Sequence, residues 1–172
     1  MPHYLLLLLT LSFCHINLHA YEPENNLKAI LVSKIANFVK WQDCSSDKFK
    51  ITIFNDGYND SLNQNYIQSP IKQKEVVIQN VQDIKELKET NILFIQKTSS
   101  KTLNEIMHYI KGRNILTISD IRGFTEKGGI VQIYSLNQKL KIRINVDTAK
   151  QEKLNIKASL LRLADVVRSE SL

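Results

Sequence analysis

Few side chains in this chain could perform covalent chemistry, and they form no recognised catalytic or metal-binding pattern. His3, His15 and His19 lie in a predicted leader, which leaves His108 in a predicted helix without a second His or Cys for zinc. A Ser-His-Asp arrangement would have to recruit that one histidine. Cys44 is interpreted as an inert loop thiol, with an intermolecular disulfide or a nucleophile as alternatives. We therefore expect a non-enzyme with no catalytic residue, no metal and no cofactor.

Two turn-rich segments could in principle bind small ligands. Asn55 to Asp60 carries the oxygen atoms of a cation loop, but no Glu follows at EF-hand spacing, which favours a turn. Gly128 and Gly129 could approach an anion closely. They lack the three-glycine dinucleotide pattern and precede a strand, which favours a bend.

The carboxyl end of a predicted buried strand gives the most informative candidates. Ser119 and Asp120 end that strand, and open α/β sheets bind ligands at such ends, although Asp120 could equally cap the next turn. Trp41 is either a cover over the core or an exposed anchor for a partner. The full set of partner- or ligand-binding candidates is Trp41, Ser119, Asp120, Phe124, Gly128, Gly129 and Asn145. In this set the glycines shape the loop and Asn145 fixes the strand beside it.

The candidate residues are positioned by predicted helices and strands that alternate along the chain. Apolar residues at helical spacing, from Leu27 to Phe38, predict an amphipathic helix that ends near Trp41. Predicted strands follow at 49–54, 75–79, 91–95 and 115–119, and a helix between the last two begins at Ser99 or Ser100 and ends at Gly112. This βαβ order indicates a parallel sheet with helices on both faces.

The sequence of the C-terminal third predicts antiparallel strands and no further βαβ unit. Strands 129–134 and 140–146 are expected to pair as an antiparallel hairpin, and 157–168 to form a last helix. The predicted fold is an α/β, three-layer Rossmann-like sandwich, with a mostly parallel sheet of about six strands and a C-terminal antiparallel hairpin.

The N-terminal segment predicts export. Residues 1–20 have the apolar core of a signal peptide and a cleavage point after Ala20, which leaves 21–172 as one domain. A lipid-attachment box at Leu11 to Cys14 is disfavoured by the bulky Phe13. No later segment reaches about 18 uninterrupted apolar residues, so we expect a periplasmic or extracellular protein that does not span the membrane after processing.

The formal charge of the chain is +6. Its lysines are scattered and not gathered on one helix, which argues against a nucleic-acid partner. The charge favours a solvated basic face, and a further interpretation is that this face lies near anionic membrane headgroups.

Three blocks in fixed order resemble the YfiR-like family of periplasmic proteins. The first runs from Lys28–Leu31 through Ala36–Trp41, the second is Asn91–Ile95, and the third extends from Leu116 to Ala164. The third block contains the family's spaced positions Leu116–Asp120, Phe124, Gly128–Ile130, Ile142–Asn145 and Ser159–Ala164.

The resemblance implies a Rossmann-like protein, often dimeric, that restrains a membrane-bound diguanylate cyclase by binding its periplasmic sensor region. Cyclic di-GMP and biofilm formation would rise when the restraint is released. The alternative hypothesis is a small-molecule sensing module that uses the crevice at the carboxyl end of the sheet and reports to a histidine kinase or another membrane receptor.

Overall fold

The computed structural model describes residues 24–42, 46–54, 67 and 70–168. The helices are α1 (Glu24–Asn37), α2 (Ser100–Ile110), α3 (Val146–Gln151) and α4 (Ala158–Leu161). The strands are β1 (Val39–Trp41), β2 (Lys48–Phe54), β3 (Glu75–Val81), β4 (Ile92–Ile95), β5 (Leu116–Ser119), β6 (Val131–Leu136), β7 (Lys139–Asn145), β8 (Leu154–Ile156) and β9 (Asp165–Val167). The predicted leader, Cys44 and the turn from Asn55 to Asp60 lie outside the described residues.

One sheet of seven strands has the order β3-β2-β4-β5-β6-β7-β9. Strands β2 to β6 are all parallel, β7 is antiparallel to β6, and β9 is parallel to β7. The mostly parallel sheet and the β6–β7 hairpin confirm the prediction. The five parallel strands follow the flavodoxin-like doubly wound order and not the order of the classic dinucleotide-binding fold. A separate antiparallel pair joins β1 to β8.

Strand β4 is buried along its whole length because it contributes to two cores. Ile92 and Phe94 pack in one core, while Leu93 and Ile95 pack in the other. Helix α1 covers the first core and α2 covers the second, so helices lie on both faces of the sheet. Each fully buried side chain of this size stabilises the fold by about 1.5–3 kcal/mol.

Local sequence signals set the ends of α2. The Ser99 hydroxyl accepts a hydrogen bond from the backbone N–H of Thr102 at 3.1 Å, which caps the helix. Past the other end, Gly112 has a φ of +75°, the left-handed conformation that glycine adopts without strain. The predicted βαβ unit, β4-α2-β5, is confirmed.

Helix α1 differs from the prediction in both its end and its orientation. It ends at Asn37, and Val39–Trp41 forms β1 because this segment pairs with residues 154–156. The core side of the helix includes Ala29, Val32 and Ala36, whereas Leu27 of the predicted apolar face is 42% exposed. Small alanine side chains face the sheet and let the helix approach it closely. Part of the surface of the larger apolar side chains of the helix therefore remains exposed to solvent.

The predicted C-terminal helix over 157–168 is wrong beyond its first turn. Only Ala158–Leu161 is helical, and Asp165–Val167 forms β9 at the edge of the large sheet. The pairing of β9 with Arg143–Asn145 satisfies backbone groups of both strands. This strand is why the sheet has seven strands and not six.

Candidate functional site

Ser119 and Asp120 lie where the sequence predicts, at the carboxyl end of β5, but they have different roles. The Ser119 side chain is fully buried, donates to the Ile95 carbonyl at 2.7 Å and accepts from the Ile121 N–H at 3.1 Å. It therefore ties β5 to β4 and to the following turn. Asp120 is partly exposed and pairs with Lys28 of α1, so it does not serve simply as a cap.

Lys28 is an unusual member of a core-facing helix. Its Nζ lies 2.6 Å from Asp120 Oδ2 and 3.0 Å from Glu24 Oε1, and its side chain is only 10% exposed. Burial lowers the pKa of Lys28, but the hydrogen bonds and charges of Asp120 and Glu24 outweigh that effect and raise it above its ordinary value. The pair joins the start of α1 to the carboxyl end of the sheet.

The turn after Asp120 is organised around a buried ring. Phe124 is fully buried in the core under α2, and its carbonyl accepts a hydrogen bond from the Gly129 N–H at 2.9 Å. Gly128 has a φ of +87°, which agrees with the predicted bend. Phe124 and Gly129 hold the turn in place and offer little surface to a partner.

Asn145 connects this turn to the next helix. Its side-chain amide donates to the Thr125 carbonyl at 3.1 Å, and its oxygen accepts from the N–H groups of Asp147 and Thr148 at the start of α3. The residue is buried, so its described contacts are structural.

Trp41 lies apart from the other candidates, in the core on the α1 face of the sheet. It is 6% exposed, and its ring meets Phe49 edge to face at 5.3 Å between centroids. Of the two interpretations, the structure places it as a core cover. Its Nε1 is buried and has no hydrogen-bond partner among the residues that the structure describes.

Sequence reasoning missed an apolar groove of about 350 Å³ between α1, β7 and α4. Its apolar lining consists of Leu31, Ile35, Phe38, Leu140, Ile142, Leu160 and Leu163. Leu163 is 74% exposed and continues the apolar lining to the surface, which makes a contiguous patch. The signal in the sequence is that the apolar residues of α1 are not confined to one face, since Leu27 and Leu31 lie away from Ala29, Val32 and Ala36 on the helix.

Lysines surround this apolar groove. Lys34, Lys139 and Lys141 line it, and the Lys157 Nζ lies 5.9 Å from the centroid of the Phe38 ring. None of its described lining residues is acidic. An apolar floor with a positive rim is complementary to an amphipathic segment that carries acidic side chains.

Searches for grouped metal-ligand side chains and for membrane-spanning helices cover the described part of the chain. Within residues 24–42, 46–54, 67 and 70–168, no three His, Cys, Asp or Glu side chains are grouped to hold a metal ion. His108 is exposed on α2. None of the helices in these ranges is long and apolar enough to cross a membrane.

Comparison with known proteins gives a family match and remote similarities of fold. Residues 25–165 match the sequence model of the family described as YfiR/HmsC-like. No curated protein sequence matches this chain.

Two solved structures share the fold at low sequence identity. A conserved domain protein from Vibrio cholerae O1 biovar El Tor has a TM-score of 0.57 and 11% identity, over 83% of this chain and 59% of that one. The ABC domain from Streptococcus pneumoniae, in complex with L-Trp, has a TM-score of 0.56 and 10% identity, over 83% of this chain and 61% of that one. This chain thus spans about three fifths of the length of each structure. Both agree with a single α/β domain.

Proposed function

The chain belongs to the YfiR/HmsC-like family, and from this premise we propose that it binds and inhibits the periplasmic sensor region of an inner-membrane diguanylate cyclase. The family is known for periplasmic regulation of diguanylate cyclases, and it is regulatory rather than catalytic. Binding stabilises the inactive conformation of the cyclase and so lowers cyclic di-GMP. A signal that weakens binding shifts the population towards the active enzyme.

The apolar groove is the observation that carries this proposal. A protein that acts by binding needs a surface whose burial is favourable, and Leu163 and Phe38 supply apolar area at the surface. The lysine rim selects a partner with acidic flanks and speeds its association. We therefore assign the groove to an amphipathic, acidic segment of the sensor region.

Burial separates the predicted contact residues into those that can touch a partner and those that cannot. Trp41, Ser119, Phe124, Gly129 and Asn145 shape the domain from within, because their side chains are buried or absent. Asp120 and Gly128 retain an exposed fraction and are the members of the set that remain contact candidates.

The proposal is tested by deleting the gene and measuring cyclic di-GMP. Deletion should raise the nucleotide and biofilm formation, and the full-length chain supplied in trans should reverse both. The tagged protein should also co-purify from detergent-solubilised membranes with a cyclase. Unchanged cyclic di-GMP together with no cyclase in the purified material would refute the proposal.

A second candidate function is small-molecule sensing that reports to a histidine kinase or another membrane receptor. Its support is a polar cleft of about 530 Å³ that contains Asp120 at the carboxyl end of β5. Co-purification with a kinase, and without a cyclase, would favour the sensing hypothesis.

A further inference from the structure

The sheet has a notch where β5 stops and β6 continues. The two strands pair only at Ile118–Val131 and Ser119–Gln132, whereas β6 pairs with β7 as far as Leu136. No described strand continues beside β6 on the β5 side beyond Gln132. This notch forms part of the polar cleft, together with the start of α1.

Two residues that line the cleft each carry a buried polar atom without a hydrogen-bond partner among the described residues. Gln132 is 4% exposed, and its Oε1 accepts no hydrogen bond from these residues. Arg143 lies opposite Gln132 on β7, and its Nε is also buried without a partner, although its Nη1 contacts Glu126 at 3.0 Å. Each such atom costs about 1–3 kcal/mol. The cleft therefore offers one acceptor and one donor that a bound molecule can satisfy.

The charges at the cleft cancel but are unevenly paired. Lys28 contacts both Asp120 and Glu24, and Arg143 contacts Glu126. Arg122 lines the same cleft, is exposed, and makes no hydrogen bond or ion pair with the part of the chain that the structure describes. Because Arg122 and the Arg143 Nε both present N–H donors, the complementary ligand group is an anion with planar oxygens.

We propose that the cleft binds a small carboxylate that also carries hydroxyl or N–H donors. Arg122 and the Nε of Arg143 hold the carboxylate, and the Gln132 Oε1 accepts a hydrogen bond from the ligand. A simple anion leaves Gln132 unsatisfied, and a neutral polyol leaves Arg122 unpaired. The cleft volume of about 530 Å³ suits a small molecule. The Gln132 Oε1 and the Arg143 Nε are both shielded from solvent. The ligand therefore reaches them only when side chains at the rim of the cleft move.

This inference rests on the local geometry of the cleft and does not depend on docking to a cyclase. It is tested on the ¹⁵N-labelled protein with D-glucuronate, L-serine and L-lactate as probes. Since molecules of this size bind at about millimolar affinity, titration to about 20 mM is sufficient. The amide signals of residues 120–122 and 132–134 should shift with at least one probe. D-glucose, which lacks the carboxylate of glucuronate, should leave them unchanged.

Three variants distinguish loss of a proposed ligand contact from effects of substitution elsewhere on the surface. Arg122→Gln should weaken binding about tenfold or more, because a charge-assisted hydrogen bond is lost. Gln132→Met should also weaken binding while leaving stability unchanged or raised, since an unsatisfied acceptor is removed. Arg162→Gln, an exposed residue outside the cleft, is the matched control and should bind as the natural protein does. Absence of shifts with all three probes, shifts confined to another surface, or full binding by Arg122→Gln would overturn the inference.

Discussion

The Phe124 ring occupies the space that a side chain at Gly129 would need. A Cβ at Gly129 would lie 2.2 Å from Phe124 Cε1, well inside the closest approach of two carbon atoms. Gly129→Ala should therefore destabilise the fold by about 1–3 kcal/mol, because the ring must move within a packed core. Urea unfolding measures this change. Combining Gly129→Ala with Phe124→Leu should cost less than the sum of the two single changes, whereas strict additivity would contradict the contact.

The Lys28–Asp120 pair should make stability depend on pH at the alkaline end. The pKa of Lys28 is raised above its ordinary value of 10.5, so its contribution is complete below that pH and is lost as the pH rises through the higher folded value. Asp120→Asn should cost about 1–2 kcal/mol near neutrality. The difference between the two proteins should shrink above pH 10.5. Urea titrations of both proteins at several pH values provide the measurement, and a constant difference would argue against the pair.

Trp41 is the only tryptophan, so its fluorescence reports directly on its environment. Because it is 6% exposed, we expect short-wavelength emission and weak quenching by acrylamide, with unfolding in urea as the control. The emission should change little when a cyclase sensor region binds. Strong quenching in the folded protein would instead favour the exposed-anchor interpretation.

The apolar groove should be sensitive to an added negative charge. Leu163→Glu places a carboxylate among the lysines at a position that is 74% exposed, so folding should be unaffected. Affinity for the cyclase sensor region, measured by calorimetry, should fall about tenfold or more, because apolar contact is lost and an acidic partner is repelled.

The matched control for the groove is Asn104→Glu, which adds the same charge at an exposed position of α2 on the opposite face of the sheet. It should retain binding. Binding of the natural protein should also weaken as salt is raised, because the lysine rim is screened. Equal affinities for Leu163→Glu and Asn104→Glu would exclude the groove as the contact surface.

The sequence alone determined the elements whose signals are local. The β4-α2-β5 unit follows from a short apolar run, a serine cap and a stopping glycine, all within consecutive residues. The β6–β7 hairpin follows from alternation in β7. The positions of Ser119 and Asp120 at the end of β5 were predicted for the same reason.

Only the tertiary structure decided which surfaces meet. Apolar residues of α1 lie on more than one face, so periodicity pointed to Leu27, whereas packing on the sheet buries Ala29 and Ala36. Asp165–Val167 continues a helical pattern, yet it forms a strand because the edge of β7 offers backbone partners. Gln132 and Arg143 became neighbours through strand register. Each of these outcomes depends on a partner distant in sequence, and periodicity within one segment carries no information about that partner.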